Sequence, residues 1–228
     1  MKKLIYNKLD KSLIPDMQRV IFPGKIIVVL SPEEAERSVD YLLSQPVLGL
    51  DTETRPAFKK GSRFKCSLLQ VATDDCCFLF RLNHMGLCPA IIRLLTDREV
   101  TKVGLAWNND LLSLHELGPF HPGDFIDLQD MCHEVGIEDQ SLMKLYANLF
   151  HERISKKERL SNWERDILTD SQKQYAAIDA WACIQLYEEL QHLKITGDYE
   201  LHALETELEI EEDFRIYEEL ATQMEQGG

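Results

Sequence analysis

The chain has 228 residues, 44% hydrophobic and 28% charged, which suits one packed globular domain and excludes a disordered chain. Its formal charge is −14, but residues 199–228 hold ten acidic residues against Arg215 alone, leaving about −5 for the rest. A nucleic-acid partner is therefore not excluded, because a local basic rim matters more than the total.

Residues 1–24 read as an irregular lead-in with Pro15 and Pro23-Gly24. Their opening, MKKLIYNKLDKSLIPD, is broken by Asn7, Lys8, Asp10 and Lys11 and lacks the apolar core of a signal peptide. Lys25–Leu30 reads as a buried strand, too short to span a bilayer. Ser31 caps a helix with Pro32 in its first turn and Glu34 three residues after the cap. A second strand runs from Val47 to Glu53. A basic loop follows, and Cys66–Ala72 and Cys77–Leu82 read as strands joined by the turn Thr73-Asp74-Asp75. Ala90–Leu95 suits a helix, Lys102–Ala106 a strand, and Asn108–Leu117 a helix stopped by Gly118-Pro119. Phe125–Leu128 is a short strand and Leu142–Phe150 a helix. Ser171–Leu193 is a long helix, with Asp170 or Ser171 as its cap. A cluster of strands followed by alternating elements implies a mixed α/β sheet between helices. Residues 194–228 read as an acidic helical extension.

Six cysteines, Cys66, Cys76, Cys77, Cys88, Cys132 and Cys183, contain no CxxC pair. In a chain with its own core they read as free thiols of a reducing compartment, and zinc-ligand spacing is missing. A soluble, cytoplasmic protein with no membrane partner is expected.

Asp51 and Glu53 lie two apart on a strand, which puts both on one face. Tyr175 and Asp179 lie four apart on a helix and share a face. Asp110 sits in a helix's first turn, where an acid also complements the helix dipole. Taken singly, each is equally a solvated strand end, a core tyrosine beside a surface acid, or a dipole partner. Together, four carboxylates and a phenol can converge at one end of the sheet. Hard oxygen ligands select Mg²⁺ or Mn²⁺, and two such ions can clamp a phosphodiester.

Three segments carry a family resemblance: Leu50-Asp51-Thr52-Glu53, then Gly104-Leu105-Ala106-Trp107-Asn108-Asn109-Asp110, then Tyr175-Ala176-Ala177-Ile178-Asp179. Ser67-Leu68-Leu69-Gln70-Val71 and Ser161-Asn162-Trp163 add to it. The chain resembles the DEDDy branch of the DnaQ-like 3′→5′ exonucleases, the group of ribonuclease D and the Werner syndrome exonuclease domain. The resemblance covers residues 25–193 and implies a ribonuclease H-like fold with a mixed sheet of five to six strands. It implies a two-metal mechanism in which Asp51 bridges both ions. Glu53 and Asp179 complete the site of the ion that activates water, Asp110 supports the second, and Tyr175 orients the water.

The substrate rim is expected from Arg55, Lys59, Lys60, Arg63 and Lys65, with Phe58 interleaved as a base stacker, and from Trp107 and Asn108. A solvated basic loop is the alternative. Trp163 reads as a packing residue, and Gln70 as a satisfied polar core residue without a catalytic role. The leading function is exonuclease action on the 3′ end of DNA or RNA. The alternatives are a catalytically silent nucleic-acid-binding module of the same fold and an acidic interaction protein.

Overall fold

The computed structural model describes residues 2–59 and 61–203. In chain order the elements are β1 (Lys3–Tyr6), β2 (Gln18–Arg19), β3 (Lys25–Val29), α1 (Pro32–Leu42), β4 (Val47–Thr54), β5 (Cys66–Ala72) and β6 (Cys76–Arg81). These are followed by α2 (Leu82–Met85), α3 (Pro89–Thr96), β7 (Thr101–Gly104), α4 (Trp107–His115), β8 (Phe125–Asp127) and α5 (Leu128–Glu134). The last are α6 (Leu142–Phe150), β9 (Glu152–Arg153), α7 (Asp170–Thr196) and β10 (Tyr199–His202).

The main sheet has six strands in the order β3-β6-β5-β4-β7-β8. Strand β5 runs antiparallel to both neighbours, and the pairs β3–β6, β4–β7 and β7–β8 are parallel. Alternate residues feed two cores, as period-2 geometry requires. Leu68 and Ala72 of β5 pack with α5, α6 and α7, whereas Leu69 and Val71 pack with α1, α3 and α4. The result is a mixed α/β sheet between two helical layers.

Local chemistry sets the helix ends. The Ser31 hydroxyl accepts from the Glu34 amide at 3.3 Å, while the Glu34 carboxylate reaches back to the Leu30 amide at 2.8 Å. Helix α7 begins at Asp170, and its cap is Thr169, one residue before the nearer of the two expected caps, in a reciprocal capping box with Gln172. Gly197, at φ +64°, ends it in the left-handed conformation that glycine adopts without strain.

Three expectations are corrected. The lead-in is not merely irregular: β1 pairs in parallel with β10, and β2 with β9. Asn148 anchors it through two bonds to the Tyr6 backbone, at 2.9 and 2.7 Å. Of the expected helical extension, residues 194–196 finish α7, and Tyr199–His202 form strand β10 on the edge of β1 rather than continuing as helix. The remainder of the expected helical extension, from residue 204, lies outside the described residues. Finally, the strand at Phe125 stops at Asp127, whose side chain caps α5 by accepting from the Gln129 amide at 3.0 Å. All six cysteines are free. Among the described residues, no helix is long and apolar enough to cross a membrane.

Candidate active site

Gly49 brings the site together. A Cβ there would lie 2.0 Å from the Ala180 carbonyl oxygen, so β4 and α7 meet backbone to backbone at this point. The face of β4 that carries Gly49 also carries Asp51 and Glu53, and it looks at α7. Asp179 sits beside Ala180 on the helix. Consequently Asp51, Glu53 and Asp179 offer carboxylate oxygens that all lie within 4.8 Å of one another.

Asp110 approaches from the turn after β7. Ala106, at φ +55°, adopts the left-handed conformation that costs a non-glycine residue about 1–2 kcal/mol. The Asp127 carboxylate offsets this by accepting from the Ala106 and Trp107 amides, both at 2.9 Å. That bend starts α4 where Asp110 falls in its first turn. Its carboxylate accepts from the Thr52 hydroxyl, between Asp51 and Glu53 in sequence. Asp110 thus flanks the trio, close enough for its charge to act on both Asp51 and Glu53.

The electrostatics follow from burial and crowding. Glu53 is 8% exposed and Asp179 6%. Burial, then the charges of Asp51, Asp179 and Asp110, push Glu53 up to about 10, with the nearby Arg159 charge opposing. Burial raises Asp179 to about 7 against a lowering hydrogen bond from Tyr175, and Asp110 to about 6 against the bond from Thr52. Asp51 is held well above the usual carboxylate range by burial and by Asp110 and Asp179. Tyr175 is raised by burial and by the Asp179 and Glu53 charges, so its phenol stays protonated. Desolvated like charges at this spacing are costly without a cation among them. An all-oxygen donor set of this kind fits a hard divalent ion such as Mg²⁺ or Mn²⁺.

The expected rim is divided. A cavity of about 490 Å³ is lined by Arg55, Pro56, Phe58, Lys59, Ser62, Phe64, Leu160 and Asn162. Phe58 is 81% exposed. The Arg55 guanidinium lies 4.6 Å from the Phe64 ring centroid and pairs with Glu164 at 3.1 Å. Arg63 pairs with Glu116 at 3.1 Å, while Lys59, Lys65 and Asn108 are exposed. Lys60 lies outside the described residues. Trp107 is a correction: it is 2% exposed and stacks on Phe125 at 5.3 Å, so it packs the core rather than a substrate. The large apolar face of an indole explains this, and exposure of its neighbour Asn108 does not alter it.

Residues 26–194 match the family model described as 3′-5′ exonuclease. The chain belongs to this family. It is 28% identical over 215 residues to the bifunctional 3′-5′ exonuclease/ATP-dependent helicase WRN of Mus musculus, covering 89% of this chain and 15% of that protein. A 3′-5′ exonuclease of Arabidopsis thaliana is 31% identical over 176 residues, 74% of this chain and 59% of its own length. The chain thus spans less than two thirds of either relative. Among solved structures, the Nibbler EXO domain of Aedes aegypti superposes with a TM-score of 0.68 at 21% identity, covering 84% of this chain and 93% of that one. RNase D of Escherichia coli gives 0.67 at 19% identity, covering 76% and 46%. At these identities the likeness is one of fold, the ribonuclease H-like fold that the resemblance implies.

Two contributors to this exonuclease-family site, Asp127 and Gln172, are not singled out by the sequence reading. Asp127 props the turn that delivers Asp110. Gln172 donates to the Ser161 hydroxyl at 2.8 Å and the Asn162 carbonyl at 3.1 Å, pinning the loop before α7. That loop places the buried Trp163 with its ring 6.0 Å from Tyr175. The capping pattern Thr169-x-x-Gln172 was the available signal for Gln172; for Asp127 the local signal is only its cap on α5, and its bonds to the Ala106 and Trp107 amides, some 20 residues away, leave none.

Proposed function

We propose that this chain hydrolyses phosphodiester bonds from the 3′ end of DNA or RNA and releases 5′-nucleotides by a mechanism that uses two divalent cations. The observation that carries this reading is the close trio Asp51, Glu53 and Asp179, the last two buried and Asp51 half-buried, with Asp110 beside it. Asp51, Glu53 and Asp179 would hold one cation, and Asp51 with Asp110 a second. Cations bound there would lower the pKa of water and offset charge on the phosphate.

The chain's own groups do the rest. Tyr175, kept protonated and one helical turn from Asp179, would orient the attacking water without serving as a base. Arg159, whose charge acts at Glu53, would add positive potential near a bound phosphodiester. The basic, aromatic cavity behind Arg55 holds the strand upstream of the cleaved bond, with Phe58 as a base platform and Lys59 toward a phosphate.

The test is a 5′-labelled oligonucleotide panel of single-stranded DNA, recessed duplex and RNA, with Mg²⁺ and with Mn²⁺. A ladder shortening from the 3′ end, absent with chelator and with Asp51→Ala, is expected. Retardation of the labelled strand in a gel without any shortening would instead support a silent binding module.

A further inference from the structure

Gln70 lies at the centre of β5 and is fully buried, yet neither its amide nitrogen nor its amide oxygen has a hydrogen-bond partner. The sequence reads as if Gln70 were a satisfied core residue, whereas the structure leaves its amide unpaired. Buried polar groups are nearly always paired, and an unpaired one costs about 1–3 kcal/mol. A buried amide at the middle of a strand whose other side chains are apolar but for the Ser67 hydroxyl calls for a partner that the resting arrangement does not supply.

The strand register says which group that is. Gln70 is paired directly across from Asp51 on one side and from Leu79 on the other. Along its own strand, the residues two places away on the same face are Leu68 and Ala72. Of these four neighbours only Asp51 can form a hydrogen bond. Directly opposed residues of an antiparallel pair have Cβ atoms about 4.5–5.5 Å apart, within reach of a Gln side chain. The last torsion of Gln is soft, so the amide can turn at little cost. Gln70 is also shielded from solvent completely, so it cannot touch a nucleic-acid substrate.

We propose that Gln70 is a positioning residue for Asp51: its amide N–H donates to the Asp51 carboxylate and fixes that carboxylate's orientation toward the divalent-cation site. This rests on the exonuclease reading of the site. The unpaired amide of the resting site is the cost of keeping a donor ready behind the ligand, as outer partners of metal ligands do elsewhere.

The experiment compares wild type, Gln70→Met and Gln70→Leu, both substitutions removing the amide at similar volume. Mn²⁺ binding is followed by calorimetry without substrate, alongside thermal midpoints without metal and the steady-state rate on a labelled oligonucleotide. The variants should match or exceed the wild type in metal-free thermal midpoint, because an unpaired buried amide is gone. Their Mn²⁺ affinity should fall about 10–100-fold, the usual effect of losing an outer partner. At saturating Mn²⁺, kcat should fall with KM for the oligonucleotide unchanged. Mn²⁺ affinity and kcat equal to wild type in a folded variant would overturn the positioning role. A lowered metal-free midpoint with unchanged Mn²⁺ affinity would make Gln70 a purely structural residue, and would overturn it as well. If the wild type itself bound no Mn²⁺, the reading of the site would fall and this role with it; Mn²⁺ binding by wild type and variants alike would strike only Gln70.

Discussion

The acidic trio and the basic rim differ in how each is held. Asp51, Glu53 and Asp179 stand on a central strand and a 27-residue helix that touch backbone to backbone at Gly49, and they are desolvated. The rim stands on the exposed loop between β4 and β5, and its arginines already have carboxylate partners in Glu164 and Glu116. Under the proposed function, chemistry that must be placed within fractions of an ångström would sit on rigid elements, and recognition that must yield to varied bases would sit on a loop. The same contrast predicts that changes in the trio act on the reaction and on metal-free stability, while changes in the rim act on substrate affinity and salt dependence.

The largest effect is expected at the trio. Asp51→Asn should lower the rate by at least about 10²–10³-fold, the scale of losing one electrostatic stabiliser. The same change should raise the metal-free thermal midpoint, because one of several repelling buried charges is removed. Steady-state hydrolysis and a melting curve check the two halves. A lower midpoint would mean that the carboxylate is a structural hydrogen-bond acceptor rather than a poised ligand.

Tyr175→Phe comes next, with a loss of about 10²-fold in kcat, the cost of misplacing a reacting group by roughly an ångström. Mn²⁺ affinity measured by calorimetry should persist, since the phenol is not a ligand. Weakened Mn²⁺ binding would move the tyrosine from water orientation to support of Asp179.

Metal-free stability should also depend on pH. Asp110, Asp179 and Glu53 are raised to about 6, 7 and 10 in the fold. The folded chain therefore keeps protons that the unfolded chain has released, and stability falls as pH rises from about 4 through these values. Between about pH 5 and pH 8 the metal-free midpoint should drop, and the upward shift caused by Mg²⁺ should grow, because the cation competes with those protons. A Mg²⁺ shift that is flat across this range would separate the acids from cation binding.

The smallest effects belong to the rim. Lys59→Ala should raise KM a few-fold and flatten its salt dependence by about one phosphate contact, with kcat unchanged. Arg63→Ala should cost no more than about 1 kcal/mol of stability, as its bond to Glu116 is a surface pair. A large fall in kcat for either would place the loop in the chemistry.

Legibility in the sequence follows the same division. The strand Cys66–Ala72 and the helix Leu142–Phe150 were readable to the residue, because hydrophobic pattern and turn residues are local signals. The three acidic segments were readable because their spacing fits a strand and a helix. What escaped depends on distant partners. Strand β1 is four residues long and finds its mate almost two hundred residues later, and Asp127 ends a strand, caps α5 and props the turn before α4 at once. Trp107 was misplaced for a similar reason: the motif showed its neighbours in sequence, not Phe125 stacked over it.

Anomalous diffraction from crystals soaked in Mn²⁺ addresses the acidic centre most directly. A peak bonded to oxygens of Asp51, Glu53 and Asp179, with a second beside Asp110, is the expected result. Manganese bound elsewhere with these carboxylates bare would contradict it.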